Sequence, residues 1–424
     1  MTGPARTYDR PRAHLRTSDA ELAILEATER LLTRAPLAKL SVADLMAEAD
    51  VARGTFYHYF SSKFAVVTAL MEHVRTELFS TFSDDLDRLQ GPDPAAALES
   101  SLRPVIERWA THRAVLRAVS DHWRVVPELR DIWLGMFDQF ADDVAARVEQ
   151  QRATGHAPPG PDARTLATAL VHGSERTLYV AGLGVDPDFP DEATMAPYVI
   201  RMWTSGLYGS TPAPADQTGA GQHPPRGGAV APVAGNEQSI LEATARLLEH
   251  TPLADLAARQ ICDEAGIGRT TFYRHFGSKN DVVAALVSSA LDQAYRAFQD
   301  PADHGQAGLR DTLDRRLTAM SGVWTRHRAV LRAAMEGWQQ LPELAEVWLR
   351  IIDRYGHTVA QEIDAARLDR SAPDGLPSQP LAKALAWMTE SCMYVAGLGI
   401  EPRFPDETAA SRAAAAISLR SIYG

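Results

Sequence analysis

The sequence predicts an all-α fold built as two tandem units, and three observations lead there. Apolar residues recur at three- and four-residue steps throughout, with no sustained alternation of period two. Long blocks return: ILEATERLL at Ile24–Leu32 reappears as ILEATARLL at Ile240–Leu248, a shift of 216 residues (24 to 240), and HRAVLRA from His112 and YVAGLG from Tyr179 reappear from His327 and Tyr394, a shift of 215 (112 to 327). Trp109, Trp123 and Trp133 pair with Trp324, Trp338 and Trp348 by the same 215 (109 to 324). A period this long is a duplicated domain and not a solenoid. Third, Thr211–Gly235, TPAPADQTGAGQHPPRGGAVAPVAG, is poor in large apolar residues and dense in Gly, Pro and Ala, so it reads as a linker. As a flexible coil it would span roughly 25–30 Å, enough for two domains to sit side by side.

The elements follow in order. Residues 1–17 hold Arg6, Arg10, Arg12 and Arg16 and read as a flexible basic arm. A first helix is expected from Ser18, where Ser18 and Glu21 suit a capping box, with Leu22, Leu25, Thr28 and Leu32 on one face. A second is expected after Ser41, capped with Asp44 and burying Val42, Leu45 and Met46. Asp50, matched by Gly266 in the second copy, supplies a turn residue that tolerates positive φ. The short segment Ala52–Tyr59 then forms a helix in which Phe56 and Phe60, four apart, face the core and Arg53, Thr55, Tyr57 and His58 face outward. Helix, tight turn and helix within about twenty residues make a helix-turn-helix, spanning 18–68 and again 236–284, each followed by a helical bundle, 69–210 and 285–424. In the second copy Ala257 replaces the capping Ser41, which costs about 1 kcal/mol.

Composition bounds the function. The net charge of −11 argues at first against a nucleic-acid partner, but residues 1–63 hold nine Lys+Arg against eight Asp+Glu, so the acidity lies mostly elsewhere. Only four of the 43 basic residues are lysine, a skew that carries no weight by itself. Cys262 and Cys392 match no metal spacing and no disulfide framework; no apolar run long enough for a membrane span occurs, and a cytoplasmic protein is expected. No nucleophile elbow, phosphate loop or His/Cys/Asp cluster is found, so neither an enzyme nor a cofactor or metal is expected.

The pattern Thr55-Phe56-Tyr57-x-x-Phe60-x-Ser62-Lys63, repeated as Thr271-Phe272-Tyr273-x-x-Phe276-x-Ser278-Lys279, resembles the DNA-binding domain of TetR-type transcriptional regulators. The stretches ELAILEATERLL, APLAKL and TPLADL, LATAL followed by SERTLY, and LYG are similar to the ethionamide-repressor (EthR) subgroup, and the resemblance covers both copies almost end to end. It implies two fused TetR-type subunits: a ligand-responsive regulator, in most such proteins a repressor, acting as an intramolecular pseudo-dimer on double-stranded operator DNA within the nucleoid. Further self-association stays open. Carried over, Arg53, Gly54, Thr55 and His58, with Arg269, Thr270, Thr271 and Arg274, would face bases, while Tyr57, Lys63, Tyr273 and Lys279 would hold phosphates. A small hydrophobic effector would sit among Trp109, Trp133, Phe137, Phe140, His172, Ser174 and Trp203 in one bundle, and Trp324, Trp348, Ile352, Tyr355, Trp387, Thr389 and Ser418 in the other. The subgroup's two pocket asparagines are replaced by Val171 and Ser174, and by Ala386 and Thr389. Glu175 and Glu390 are candidates for a cationic group or for a structural ion pair, and His112 and His327 are expected near helix starts. The alternative to a DNA-binding regulator is a ligand-binding or protein-interaction module that has lost its operator.

Overall fold

The computed structural model describes residues 19–86, 93–209, 235–299, 309–339 and 341–424. The first copy contributes α1 (Asp19–Arg34), α2 (Val42–Glu48), α3 (Arg53–Tyr59), α4 (Lys63–Leu86), α5 (Pro94–Thr111), α6 (Arg113–His122), α7 (Pro127–Ala153), α8 (Ala163–Leu183) and α9 (Glu192–Tyr208). The second repeats them as α10 (Asn236–Leu248), α11 (Ala258–Ala265), α12 (Arg269–His275), α13 (Lys279–Gln299), α14 (Leu309–Arg326), α15 (Arg328–Gly337), α16 (Pro342–Leu368), α17 (Ser378–Leu398) and α18 (Glu407–Tyr423). Among the described residues there is no strand, as the periodicity predicts. The basic arm, the Ser18 cap and nearly all of the linker lie outside the described residues.

The chain divides into two compact units. One comprises the described residues up to Ser80 together with Thr111–Met136: the first helix-turn-helix with α6 and the start of α7. Its α2 begins as expected, with Ser41 Oγ accepting from Asp44 N and the Asp44 carboxylate accepting from Ser41 N at 2.7 Å. The buried stripe of α1 differs from expectation: Ile24, Ala27, Thr28 and Leu32 are inward, whereas Leu22 is 47% exposed. Turning the helix to bury β-branched Ile24 displaces Leu22 outward, and Thr28 is accommodated because its hydroxyl donates to Ile24 O at 2.8 Å. Val42 and Met46 are only half-buried, leaving Leu45 as the fully buried residue of α2.

The other unit comprises Thr81–Ala110 and Phe137–Gly424, so the second helix-turn-helix stays with its own bundle. There α10 packs on α13 and α15, and α13, α14, α16, α17 and α18 enclose an apolar interior. Arg328, at the start of α15, grips the Glu407 carboxylate in α18 through Nε (2.6 Å) and Nη2 (2.7 Å). Within this same unit, α8 and α9 of the first copy pack against α17 and α18 of the second.

Candidate nucleic-acid interface and bundle cavity

Each short helix is aimed by the turn before it. Asp50 (φ 52°) and Gly266 (φ 66°) adopt the left-handed conformation, and Val51 N to Met46 O (3.1 Å) and Ile267 N to Cys262 O (3.0 Å) close the turn. Phe56 and Phe272 are fully buried and anchor α3 on α1, and α12 on α10 and α11. That leaves Arg53, Gly54, Tyr57 and His58 exposed and Thr55 half-buried; in α12, Arg269, Thr270, Tyr273 and Arg274 are exposed and Thr271 half-buried. The Arg53 guanidinium lies 5.4 Å over the Tyr57 ring. A Cβ at Gly54 would meet nothing within 4 Å, in keeping with Thr270 at the matching position.

The two lysines hold the loop before each helix-turn-helix. Lys63 Nζ donates to Leu37 O (2.8 Å) and Leu40 O (2.7 Å), and Lys279 Nζ to Leu253 O (2.9 Å), Ala254 O (3.3 Å) and Leu256 O (2.5 Å). Desolvation lowers the Lys63 pKa. An ammonium has three protons; two of those on Lys63 and all three on Lys279 serve carbonyls of the loop before α2 or α11, tying that loop to the start of α4 or α13. The neighbouring serines are caps: Ser62 Oγ accepts from Ala65 N (3.1 Å) and Ser278 Oγ from Asp281 N (3.3 Å). Ser-Lys is thus a structural clasp, a role that the sequence pattern alone does not state.

In the second bundle a cavity of about 60 Å³ is lined by Trp324, Trp348, Ile352, Tyr355, Thr389, Glu390 and Ser418, among the expected residues, and by Leu291, Phe298, Leu317, Met320 and Met393, which the sequence reading missed. It is several times the room one water needs and nearly all apolar. The Tyr355 hydroxyl is buried there without a hydrogen-bond partner, and burial, with Tyr295 beside it, raises its pKa well above the ordinary value. Trp387 does not line this space. It stacks on Trp338 (centroids 6.1 Å) and donates from Nε1 to Asp186 of the first copy at 3.3 Å.

The first copy differs where it counts. Trp203, at the position of Ser418, is 2% exposed, donates from Nε1 to Ser174 Oγ at 2.7 Å, and packs edge-on against Phe140 (5.7 Å), whose ring lies tilted against Phe82 (4.3 Å). An indole occupies the place that a hydroxymethyl leaves open in the other bundle. His172, the counterpart of Trp387, packs against Phe137 and lies 3.9 Å from Glu401 of the second copy. Trp109 and Trp133 are buried; Trp133 belongs to the first unit and the remaining candidates of this copy to the second. Glu175 is half-buried.

Glu390 is an ion-pair residue. Its carboxylate accepts from Arg176 Nε (2.8 Å) and Nη2 (2.7 Å) of the first copy and from Trp348 Nε1 (3.1 Å). Burial opposes the Arg176 charge, yet Glu390 and then Glu175 hold its pKa above the usual value. His112 and His327 do sit at the caps of α6 and α15: His112 contacts Glu77 (3.1 Å) and Glu29 (3.4 Å), whereas His327 meets neutral Gln293 (3.2 Å), and burial followed by Arg326 lowers its pKa.

Two family models match the chain, each twice. "Bacterial regulatory proteins, tetR family" covers residues 24–70 and 240–286, and "Transcriptional regulator EthR, C-terminal domain" covers 98–209 and 313–424. The chain is similar to the HTH-type transcriptional regulator EthR of Mycobacterium tuberculosis H37Rv, 32% identical over 191 residues, which is 45% of this chain and 88% of the relative. It is 31% identical over 194 residues to the EthR of Mycolicibacterium smegmatis, covering 46% of this chain and 88% of the relative. A crystal structure of the regulatory protein TetR from Rhodobacter sphaeroides aligns at 23% identity over 43% of this chain and 98% of its own, with a TM-score of 0.37.

Proposed function

Because the chain belongs to the TetR family of bacterial regulatory proteins and carries an EthR-type C-terminal domain in each half, we propose that this DNA-binding regulator represses transcription as an intramolecular pseudo-dimer. Its two unlike heads would read unlike half-sites of an imperfect palindrome, and a small apolar effector would relieve repression. The observation that carries the reading is the shared frame of α3 and α12: a buried phenylalanine, an exposed tyrosine beside it, and an exposed arginine one turn earlier. Within that frame His58 is matched by Arg274, and a guanidinium can pair bidentately with guanine where imidazole cannot. Tyr57 and Tyr273 are the phosphate-holding residues in this reading, and Arg53, Gly54, Thr55, His58, Arg269, Thr270, Thr271 and Arg274 face bases. Tethering makes the second half-site contact intramolecular, so pairing of heads does not depend on concentration.

The effector reading rests on the second bundle. Glu390 already meets Arg176, so the cavity favours a neutral apolar molecule with one polar group for the Tyr355 hydroxyl. At about 60 Å³ the cavity must widen to admit it. Trp203 fills the matching place in the first copy, which supports one effector per chain.

Fluorescence anisotropy on fragments from upstream of the gene, followed by footprinting, tests the regulatory reading. A steep fall in affinity with salt and one chain protecting both half-sites are expected. Two chains per operator, one head on each half-site, would refute the pseudo-dimer. Salt-insensitive or absent binding would favour a module that no longer engages DNA.

A further inference from the structure

We propose that the surface joining the two copies is a heterotypic lock, made so that first-copy α8 accepts second-copy α17 and neither accepts its own kind. The inference rests on the contact between copies and not on the DNA reading, so the two fail separately: this one by melting and mass, that one by footprint.

Shape supplies the first observation. Gly173 of α8 and Met388 of α17 occupy equivalent positions (173 to 388, the 215 shift) and touch each other, so they lie where the two-fold axis relating the copies would pass. A Cβ at Gly173 would collide with Met388 Cγ and come within 3.0 Å of its Cβ. Met388 is completely buried in this notch. Pairing two second copies would set Met388 against another Met388, and pairing two first copies would leave a void between two glycines. Both errors are costly in a close-packed interior.

Charge supplies the second, on either side of that point. Arg176 is 9% exposed and Glu390 4%, and they form a two-pronged ion pair between copies. The counterpart of Arg176 is Ser391 and that of Glu390 is Glu175, so two second copies would bury two Glu390 carboxylates opposite serines, whereas two first copies would keep Arg176 opposite a carboxylate; this pair acts against the pairing of two second copies alone. Lys383, 4% exposed in α17, donates to Asp186 (2.6 Å) and Asp188 (2.8 Å) of the first copy; burial opposes its charge, but those carboxylates keep its pKa raised. Its counterpart is Thr168, so two first copies would leave Asp186 and Asp188 facing a residue without charge, while two second copies would set Lys383 between Glu401 and Arg403, the counterparts of Asp186 and Asp188, with one carboxylate where it now has two. A buried ion pair adds little stability, but a buried charge stripped of its partner is strongly unfavourable, which makes this arrangement a device of partner choice.

The test exchanges charges in the full chain. R176E and E390R each set like charges together, and each should lower Tm by about 5–15 °C. The double variant R176E/E390R should recover more than half of that loss. Co-refolding the two single variants should yield a particle of twice the 46.3 kDa chain mass by light scattering, because exchanging halves restores opposite charges at both contacts. Should a single variant fail to fold, R176Q, E390Q and their double variant carry the test, with losses far short of additive expected. Single variants melting within about 2 °C of the parent, a double variant no better than either single, or single variants that pair like with like would overturn the proposal.

Discussion

The two reading heads share a frame and differ in what holds and fills it. In the first, α2 starts on a reciprocal Ser41–Asp44 box; in the second, the Ala257 methyl offers no acceptor, and only half of the box survives, with Gln260 Oε1 accepting from Ala257 N at 2.7 Å. The bundles diverge in the same manner: Trp203 closes in the first what Ser418 leaves open in the second. Duplication kept the backbone positions that build a head and a bundle, and released those that set sequence preference, cap strength and free volume.

The largest effect is expected from levelling the bundles. Trp203→Ser should open a cavity and cost about 3–5 kcal/mol in denaturant unfolding, while Ser418→Trp should abolish binding of any effector that the parent chain takes up, measured by calorimetry. Next come the lysine clasps. Lys279→Met leaves carbonyls of the loop before α11 unserved and should destabilise by about 1–3 kcal/mol; a phosphate contact would instead leave stability intact and lower the salt slope by about 1. Levelling the heads should matter comparably for DNA: Arg274→His should cost about 1–3 kcal/mol on a half-site with guanine at the contacted position and relax preference there, with His58→Ala costing less, both by anisotropy. Ala257→Ser should stabilise the second head by about 0.5–1 kcal/mol.

The smallest effect separates the heads by pH. Hydrogen bonds from the Ser41 side chain, then its backbone N–H, lower the Asp44 pKa below 3.8 against a slight opposing burial. A depressed carboxyl pKa contributes stability that is fully present above the ordinary value and is lost as pH falls through the lowered one. Protection of α2 amides against hydrogen exchange should therefore decline below about pH 4, and that of α11, whose box uses neutral Gln260, should not.

Much of the fold was legible because its signals are local. Ser41 with Asp44, Asp50 and Gly266 at their turns, and the Phe56–Phe60 spacing each state a backbone requirement within a few residues. The α1 face was misjudged because Leu22 and Leu25 form a stripe adjacent to Ile24 and Ala27, and only packing decides between neighbouring stripes. The clasp made by Lys63 and Lys279 was not legible because an ammonium suits a phosphate and a carbonyl equally, and the loop it serves lies 23 to 26 residues earlier. Around α17 the difficulty is different: the helix is buried on almost every side, so periodicity cannot say that Thr389 faces the cavity while Trp387 and Lys383 face the other copy. An arginine and a lysine inside apolar runs, Arg176 and Lys383, were the available hints of that second face.

A glycine seated against a methionine also carries a date. On the axis of a true homodimer a residue can meet only itself, so no pair of identical ancestors could have held Gly173 against Met388. That pairing could arise only after the two halves were encoded separately from each other and each was free to drift, and from then on neither half, expressed alone, would find a fitting partner in its own copies.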